Sequence, residues 1–537
     1  MYMCVCDIDF AYFYDFIIEF WNCSDRQCGI FVSHLIVTYD CLWSLWFRSN
    51  IVFACHLISN VIKLNHFSSL FLILFIQVRT GPGLFGNGKR NFTHAFDGFS
   101  KLYNWKFYGN GTASFSVNFL RSRTYNISTA INDIANFFTF ETVTPPFPLA
   151  EREMSVLKGM DNTNINVYRV FNEFTKEFEY LTLSDTWKVY LIEPLSTGTI
   201  GAVNAEVPPG ISAFVNMMSS AHPLPEHNST HHFTFLTSVS VMPGIKSRLS
   251  VVRIKSTSQR ELVAQWEVTK APYMHAFSVT PNYVILFAAP YYINVVKLLE
   301  YADAYSGLEW FPSENATIHV VEIKTGKVTS IDVSTMNPSH HANAYEEDGK
   351  IIMDTFIYPD PFFANCFTLE VLRNESKRDS LVYAPHINRF TIDLNTRNVI
   401  ISTFAENPKI PFINNMEIPA INENYRHKKY CYLYGVALKS DKKSFSKTAL
   451  GKLDVCGNNE DKFWFTEGHF PLEMWFVPAP NATREDDGVL LTPVMDGQKR
   501  QSYLLLLNAT TMTTINRAYL PSLVPFTIHG RFFPDLV

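Results

Sequence analysis

Charge is scarce in this chain. Only 18% of its 537 residues are Asp, Glu, Lys or Arg, below the usual quarter or so. The formal net charge is −5, so there is no basic excess with which to hold nucleic acid or an anionic lipid surface. Long apolar runs are missing as well. The best, Phe67 to Ile76, falls well short of the roughly 20 residues that cross a bilayer. No basic stretch followed by an apolar core and a small-residue cleavage site opens the chain, so no secretory signal is read there. Cysteine is sparse where a framework would need it. Six of the nine (Cys4, Cys6, Cys23, Cys28, Cys41 and Cys55) precede residue 78, leaving Cys366, Cys431 and Cys456. Three scattered cysteines make no disulfide framework, and the expected compartment is the reducing cytoplasm. N-x-S/T triplets at Asn91, Asn110, Asn228, Asn315 and Asn481 point the other way, but an Asn-rich chain produces them by chance. No internal repeat is clean enough to count structural units.

What the chain does contain is β-forming sequence. Hydrophobic residues make up 47%, aromatic residues 15%, and Phe alone numbers 45, which suits either strands or an apolar ligand tunnel. Val320–Ile331 reads as a hairpin turning at Lys324-Thr-Gly-Lys327, and Tyr503–Ile515 reads likewise. Further strands are expected at Leu249–Ile254, Leu262–Val268, Tyr283–Ala288, Lys350–Phe356, Val399–Thr403 and Val489–Pro493. The one convincing helical stretch is Tyr291–Ala304, where Ile293, Val296, Leu298 and Leu299 favour one side. Many short strands with frequent turns predict an all-β sandwich, barrel or propeller, and a propeller closes most easily over this length. Residues 1–77 differ in kind: hydrophobic and Cys-rich, without sustained period, they read as a gene-model artefact (translated intron or misplaced start) or as unstructured. Residues 78–537 read as a single domain.

Four histidines stand in short phrases that look like strand ends: Ala221-His222-Pro223, Tyr273-Met-His275-Ala-Phe277, Ser339-His340-His341-Ala342 and Thr527-Ile-His529-Gly530. Their separations of 53, 65 and 189 residues exclude a shared helix or hairpin. If they meet, a closed β architecture gathers them, and an all-imidazole set suits a divalent transition metal. His227, His231 and His232 form a second cluster, read as a solvated turn. His341 is expected to pack on the opposite strand face from His340, and His94 to pack or hydrogen-bond.

Taken in order, Val78-Arg-Thr-Gly-Pro-Gly-Leu-Phe85, His94-Ala-Phe-Asp-Gly98, Tyr273–Phe277, His340–Gly349, Glu485-Asp-Asp-Gly-Val489 and Phe526–Gly530 resemble the carotenoid cleavage oxygenase family, nearest its animal branch of β-carotene oxygenases and the retinal pigment epithelium isomerohydrolase. The resemblance runs from about residue 78 to 537. It implies a seven-bladed β-propeller with a small helical cap over its top face. On its axis it implies Fe(2+) held by His222, His275, His340 and His529. Carboxylates would stand behind three of these: Glu193 behind His275, Glu417 behind His340 and Glu473 behind His529. The implied activity is dioxygenase cleavage of a C=C bond in a carotenoid or apocarotenoid by O2, giving aldehydes. Retinyl ester isomerohydrolysis on the same centre and a silent lipid-binding propeller are the alternatives. The sequence departs from relatives that carry an acylatable cysteine near Pro145–Leu149, which disfavours the isomerohydrolase. Small Ser339 and Ala342 are expected to widen the cavity, and Phe171–Lys188 looks longer than the matching turn. Peripheral membrane association through the helical stretch is a further expectation.

Overall fold

Each β-rich run pairs antiparallel with its neighbour in the chain, and the pairs assemble into seven four- or five-stranded sheets. These are the blades of a seven-bladed β-propeller. The computed structural model describes residues 60–63 and 75–536, apart from 110, 204, 207–214, 241–243, 382–384, 405–406, 408–409, 411–415, 439–446 and 535. Blade 1 comprises Asn60–Lys63, Phe75–Leu84, Phe99–Phe107, Thr112–Phe119 and the C-terminal Gly530–Phe533. Blade 2 runs from Asn166–Phe171 to Gly198–Val203, and blade 3 from Val215–Ser219 to Arg260–Val268. Blade 4 runs from Ser278–Val279 to Val328–Val333, and blade 5 from Asn337–Glu347 to Asn398–Thr403. Blade 6 runs from Met416–Ala420 to Lys462–Trp464, and blade 7 from His469–Pro471 to Thr514–Tyr519.

The expected hairpins are present. Val321 pairs with Val328, and between them Gly326 adopts φ +70°, where a Cβ would lie 2.5 Å from the Val263 carbonyl oxygen. Leu507 pairs with Thr514 in the second hairpin. Apolar side chains from facing blades interlock to form the core. Phe75, Trp105 and Phe107 of blade 1 pack with Leu491, Leu504 and Leu506 of blade 7. Tyr434 and Leu450 of blade 6 pack with Leu490 and Leu505 of blade 7. Burying such side chains fully is worth about 1.5–3 kcal/mol each, so the inter-blade layers hold the ring together.

The ring closes through its ends: Ile76 to Arg79 pair with Phe533 to Gly530. The boundary drawn at residues 77/78 therefore falls inside a strand. Phe75 and Ile76 are buried, Phe75 stacks on Phe107 with centroids 4.2 Å apart, and Asn60–Lys63 pairs with Thr112–Phe119 at the edge of the sheet. Residues 1–59 and 64–74, with the six early cysteines, lie outside the described residues.

Helical content exceeds the sequence expectation, and the expected helix is shorter. Tyr291–Ile293 is a strand paired with Leu308–Trp310. The helix spans only Val295–Tyr301, because the Asn294 side chain accepts the Lys297 N–H at its start and Ala302 turns left-handed at its end. Arg123–Ile131, Leu149–Lys158, Phe362–Cys366, Leu369–Arg373 and Glu375–Ser380 are also helical. The cysteine reading is corrected too. Cys431 and Cys456 form a disulfide, because Tyr432 pairs with Asp454 and the Val455 N–H donates to the Cys431 carbonyl. Spacing along the chain gave no sign of that register. The pair removes the cysteine argument for a reducing compartment. Cys366 is free and buried.

One buried imidazole outside the axis gives a pH prediction. His319, beneath Trp266 and 2.8 Å from Ser330 Oγ, is pushed down to about 4 by burial. The unfolded chain, with an imidazole near 6.5, then binds more protons than the folded one between pH 6.5 and about 4. Folding stability from this group is lost as pH falls through that window. A His319→Gln variant is expected to lose less stability there than wild type, measured as the difference in urea midpoints at pH 7 and pH 4.5.

Candidate metal centre

Four imidazoles meet on the propeller axis. His222 follows the first strand of blade 3, His275 precedes blade 4, His340 sits in the first strand of blade 5, and His529 precedes the closing strand of blade 1. Their ligand-capable nitrogens all lie within 4.8 Å of one another. Nε2 to Nε2 distances are 3.1 Å for His222–His275, 3.1 Å for His275–His340 and 3.2 Å for His340–His529. Local backbone breaks aim them inward. The register of blade 5 slips on both sides of His341, which turns His340 to the axis while His341 Nδ1 meets Ser278 Oγ at 2.7 Å. The Ser220 hydroxyl donates to the His275 carbonyl at 2.8 Å, tying the first two loops together.

Carboxylates from the other three blades stand behind the rings. His340 Nδ1 is 2.7 Å from Glu417 Oε2 in blade 6, and His529 Nδ1 is 2.6 Å from Glu473 Oε1 in blade 7. His275 Nδ1 is 2.6 Å from Asp185 Oδ2, in blade 2. Sequence reasoning assigned that role to Glu193, and the structure corrects it. Glu193 ends a strand and turns its carboxylate to the Leu195 and Ser196 N–H groups at 3.0 and 2.6 Å. The Asp185 loop lies within Phe171–Lys188, the segment that looked overlong. Its only signal is an ordinary Ser-Asp-Thr turn, 90 residues from His275. No carboxylate contacts His222 among the described residues.

Each carboxylate is itself held. Asp185 accepts the Ala221 N–H at 3.0 Å and the Tyr273 hydroxyl at 3.2 Å. Glu417 accepts the Ile418 N–H at 2.8 Å and the Ser339 hydroxyl, so Ser339 is a hydrogen-bond partner of the site as well as a small cavity residue. Glu473 accepts from Gly530 N at 3.0 Å and from the fully buried Arg79 guanidinium at 2.9 Å. Burial opposes the charged form of Glu417 and Glu473. The facing imidazoles and these donors nevertheless hold both below the ordinary carboxylate range.

This donor set fits a cation. In three rings the Nδ1–H donates to a carboxylate, so each Nε2 presents a lone pair toward the others. Lone pairs facing at 3.1–3.2 Å repel unless a positive ion shares them. Burial pushes His222 well below its ordinary value and His529 down to about 4, and neutral imidazole is the ligating form. His227, His231 and His232 do not join the centre. His231 pairs with Glu173 at 2.8 Å, His227 packs against His427, and His232 is largely buried at the start of a strand rather than solvated. His94 is buried and accepts the Phe96 N–H at the head of the short helix Ala95–Asp97.

His275, His340 and His529 open into one cavity of about 700 Å³. Its walls are mainly apolar and include Phe96, Phe140, Phe363, Phe367, Val436 and Met495. Such a space suits a long hydrocarbon.

The comparisons agree with this architecture. The family model described as retinal pigment epithelial membrane protein matches residues 76–534. Human beta,beta-carotene 15,15'-dioxygenase is 28% identical over 501 residues, 86% of this chain and 89% of that protein. Carotenoid cleavage dioxygenase 8 of Arabidopsis thaliana, a chloroplastic protein, is 31% identical over 484 residues, 85% of this chain and 80% of that one. Cobalt-substituted Synechocystis apocarotenoid oxygenase superposes with a TM-score of 0.71 at 22% identity, over 88% of this chain and 95% of that one. With the propeller, the axial imidazoles and a match over most of its length, this chain belongs to the carotenoid cleavage oxygenase family.

Proposed function

We propose that this protein is a non-haem iron(II) dioxygenase that cleaves a C=C bond of a carotenoid or apocarotenoid, converting one alkene and one O2 into two aldehydes. The observation that carries the reading is the convergence of four imidazole nitrogens within 4.8 Å, three of the rings (His275, His340 and His529) lining an apolar cavity. His222, His275, His340 and His529 would hold the ion, and the names of the relatives supply the substrate class. When bound, ferrous iron supplies the electrons that make O2 reactive toward an alkene. The protein's part is positional. The phenylalanines and aliphatic side chains hold the polyene and keep water away. Asp185, Glu417 and Glu473 keep the proton on Nδ1, so Nε2 stays free to ligate. The four neutral imidazoles would hold the ion without adding negative charge to it.

Iron-loaded protein incubated with β-carotene under isotopically heavy dioxygen is expected to give aldehydes that carry the label. Intact carotene after full iron loading, or release of a retinol isomer from a retinyl ester instead, would overturn the reading.

We further propose that the capped face rests on a membrane, where polyenes dissolve. Helices Leu149–Lys158 and Val295–Tyr301 lie together, Arg152 donating to the Tyr301 carbonyl at 3.1 Å. They expose Met154, Leu157, Val296 and Leu299, while Leu298 lines the cavity. Neutral lipid vesicles are expected to sediment the wild type, and a Leu157→Glu/Val296→Glu variant is expected to stay in the supernatant. Wild type remaining wholly soluble would contradict the proposal.

A further inference from the structure

Among the described residues lining the cavity, Arg378 is the one guanidinium or ammonium. It stands on the helix Glu375–Ser380 and is part-exposed, which places it at an opening of the cavity rather than in its depth. The acidic groups along the walls are already engaged. Asp97 accepts the Phe140 and Glu141 N–H groups at 2.7 and 3.0 Å. Asp161 takes Lys188 and the Tyr190 hydroxyl at 2.9 and 2.8 Å. Asp185 and Glu417 serve His275 and His340. Arg378 donates from Nη1 to the Leu372 carbonyl, and among the described residues no carboxylate lies within ion-pairing distance of it. A guanidinium carries five donors in a planar fork; one goes to the Leu372 carbonyl, and the part-exposed head offers the others to a ligand at the opening. A hydrocarbon end group cannot answer them, whereas a carboxylate does so with two parallel bonds.

We propose that Arg378 reads a carboxylate on the substrate end that lies at the opening, so that acid-ended apocarotenoids are favoured over hydrocarbon carotenes. The proposal rests on the polyene-cleaving reading of the site. It assigns Arg378 to binding, since the residue stands on the helix Glu375–Ser380 and its hydrogen bond goes to the Leu372 carbonyl rather than to any of the four imidazoles.

The test compares an apocarotenoic acid with a hydrocarbon polyene of the same length, using iron-loaded wild type, Arg378→Met and Arg378→Lys. Cleavage rates give kcat and KM, and quenching of tryptophan fluorescence gives Kd without turnover. Hydrogen bonds to charged groups are worth about 1.5–3 kcal/mol, so Arg378→Met is expected to raise KM and Kd for the acid about tenfold or more. The kcat for the acid and all constants for the hydrocarbon are expected to hold, with Arg378→Lys falling between. Equal losses for both polyenes, or none for the acid, would overturn the proposal. If wild type binds both but cleaves neither, the dioxygenase reading fails, while the Kd ratio still decides the role of Arg378.

Discussion

A His275→Ala chain is expected to lose bound iron and carotenoid cleavage together. His275 stands between His222 and His340 in the cluster, 3.1 Å from each, so its removal takes a donor from the middle of the set. Three neutral imidazoles then remain, with no anionic ligand among them to compensate. Folding should survive, because Asp185 keeps the Ala221 N–H and the Tyr273 hydroxyl, and the inter-blade cores lie elsewhere. Metal analysis after dialysis, product assay and circular dichroism on the same preparation check all three points. A folded variant with full iron and full rate would remove His275 from the ligand set.

The second large effect concerns Asp185. Asp185→Asn is expected to weaken metal affinity or activity roughly 10- to 100-fold, the range that follows loss of a hydrogen-bonded partner behind a ligand. An amide can present its NH2 group to Nδ1 and favour the wrong tautomer, in which Nε2 carries the proton and no longer ligates. Glu417→Gln, behind His340, is expected to fall in the same range. Glu193→Gln is expected to leave affinity and rate unchanged, since Glu193 caps a local turn. Iron titrations and kcat/KM for the three variants decide it. An affected Glu193 variant beside a silent Asp185 variant would reverse the assignment made from the geometry.

That reversal of roles marks how far the sequence carries. The four histidines were legible because each sits in a distinctive phrase and the phrases occur in order. Glu417 and Glu473 lie in phrases of the same kind, Met416-Glu-Ile-Pro419 and Pro471-Leu-Glu-Met474. Asp185 has no such setting. Its role exists only because blade 2 brings its loop against the start of blade 4, and a lone Asp in a turn is what most turns contain.

The fold divides along the same line. Hairpins such as Val320–Ile331 are local and were readable from alternation and turn residues. Blade number was not countable from repeats, because the blades share a topology and no repeating sequence; the seven blades came from the family resemblance, and the structure has them. Ring closure pairs Ile76 with Phe533 and Arg79 with Gly530. Nothing near Phe75 in the sequence announces a partner at the other end of the chain, so Phe75 and Ile76 read as foreign although they belong to blade 1. The Cys431–Cys456 disulfide went unread for a similar reason, since strand register and not spacing brings the two together.

X-ray absorption at the iron edge of reconstituted wild type addresses the centre most directly. Four imidazole rings around one iron per chain, with that pattern losing a ring in His275→Ala, is the predicted spectrum. An iron bound chiefly by carboxylate or thiolate, or one whose surroundings are identical in wild type and His275→Ala, would contradict it.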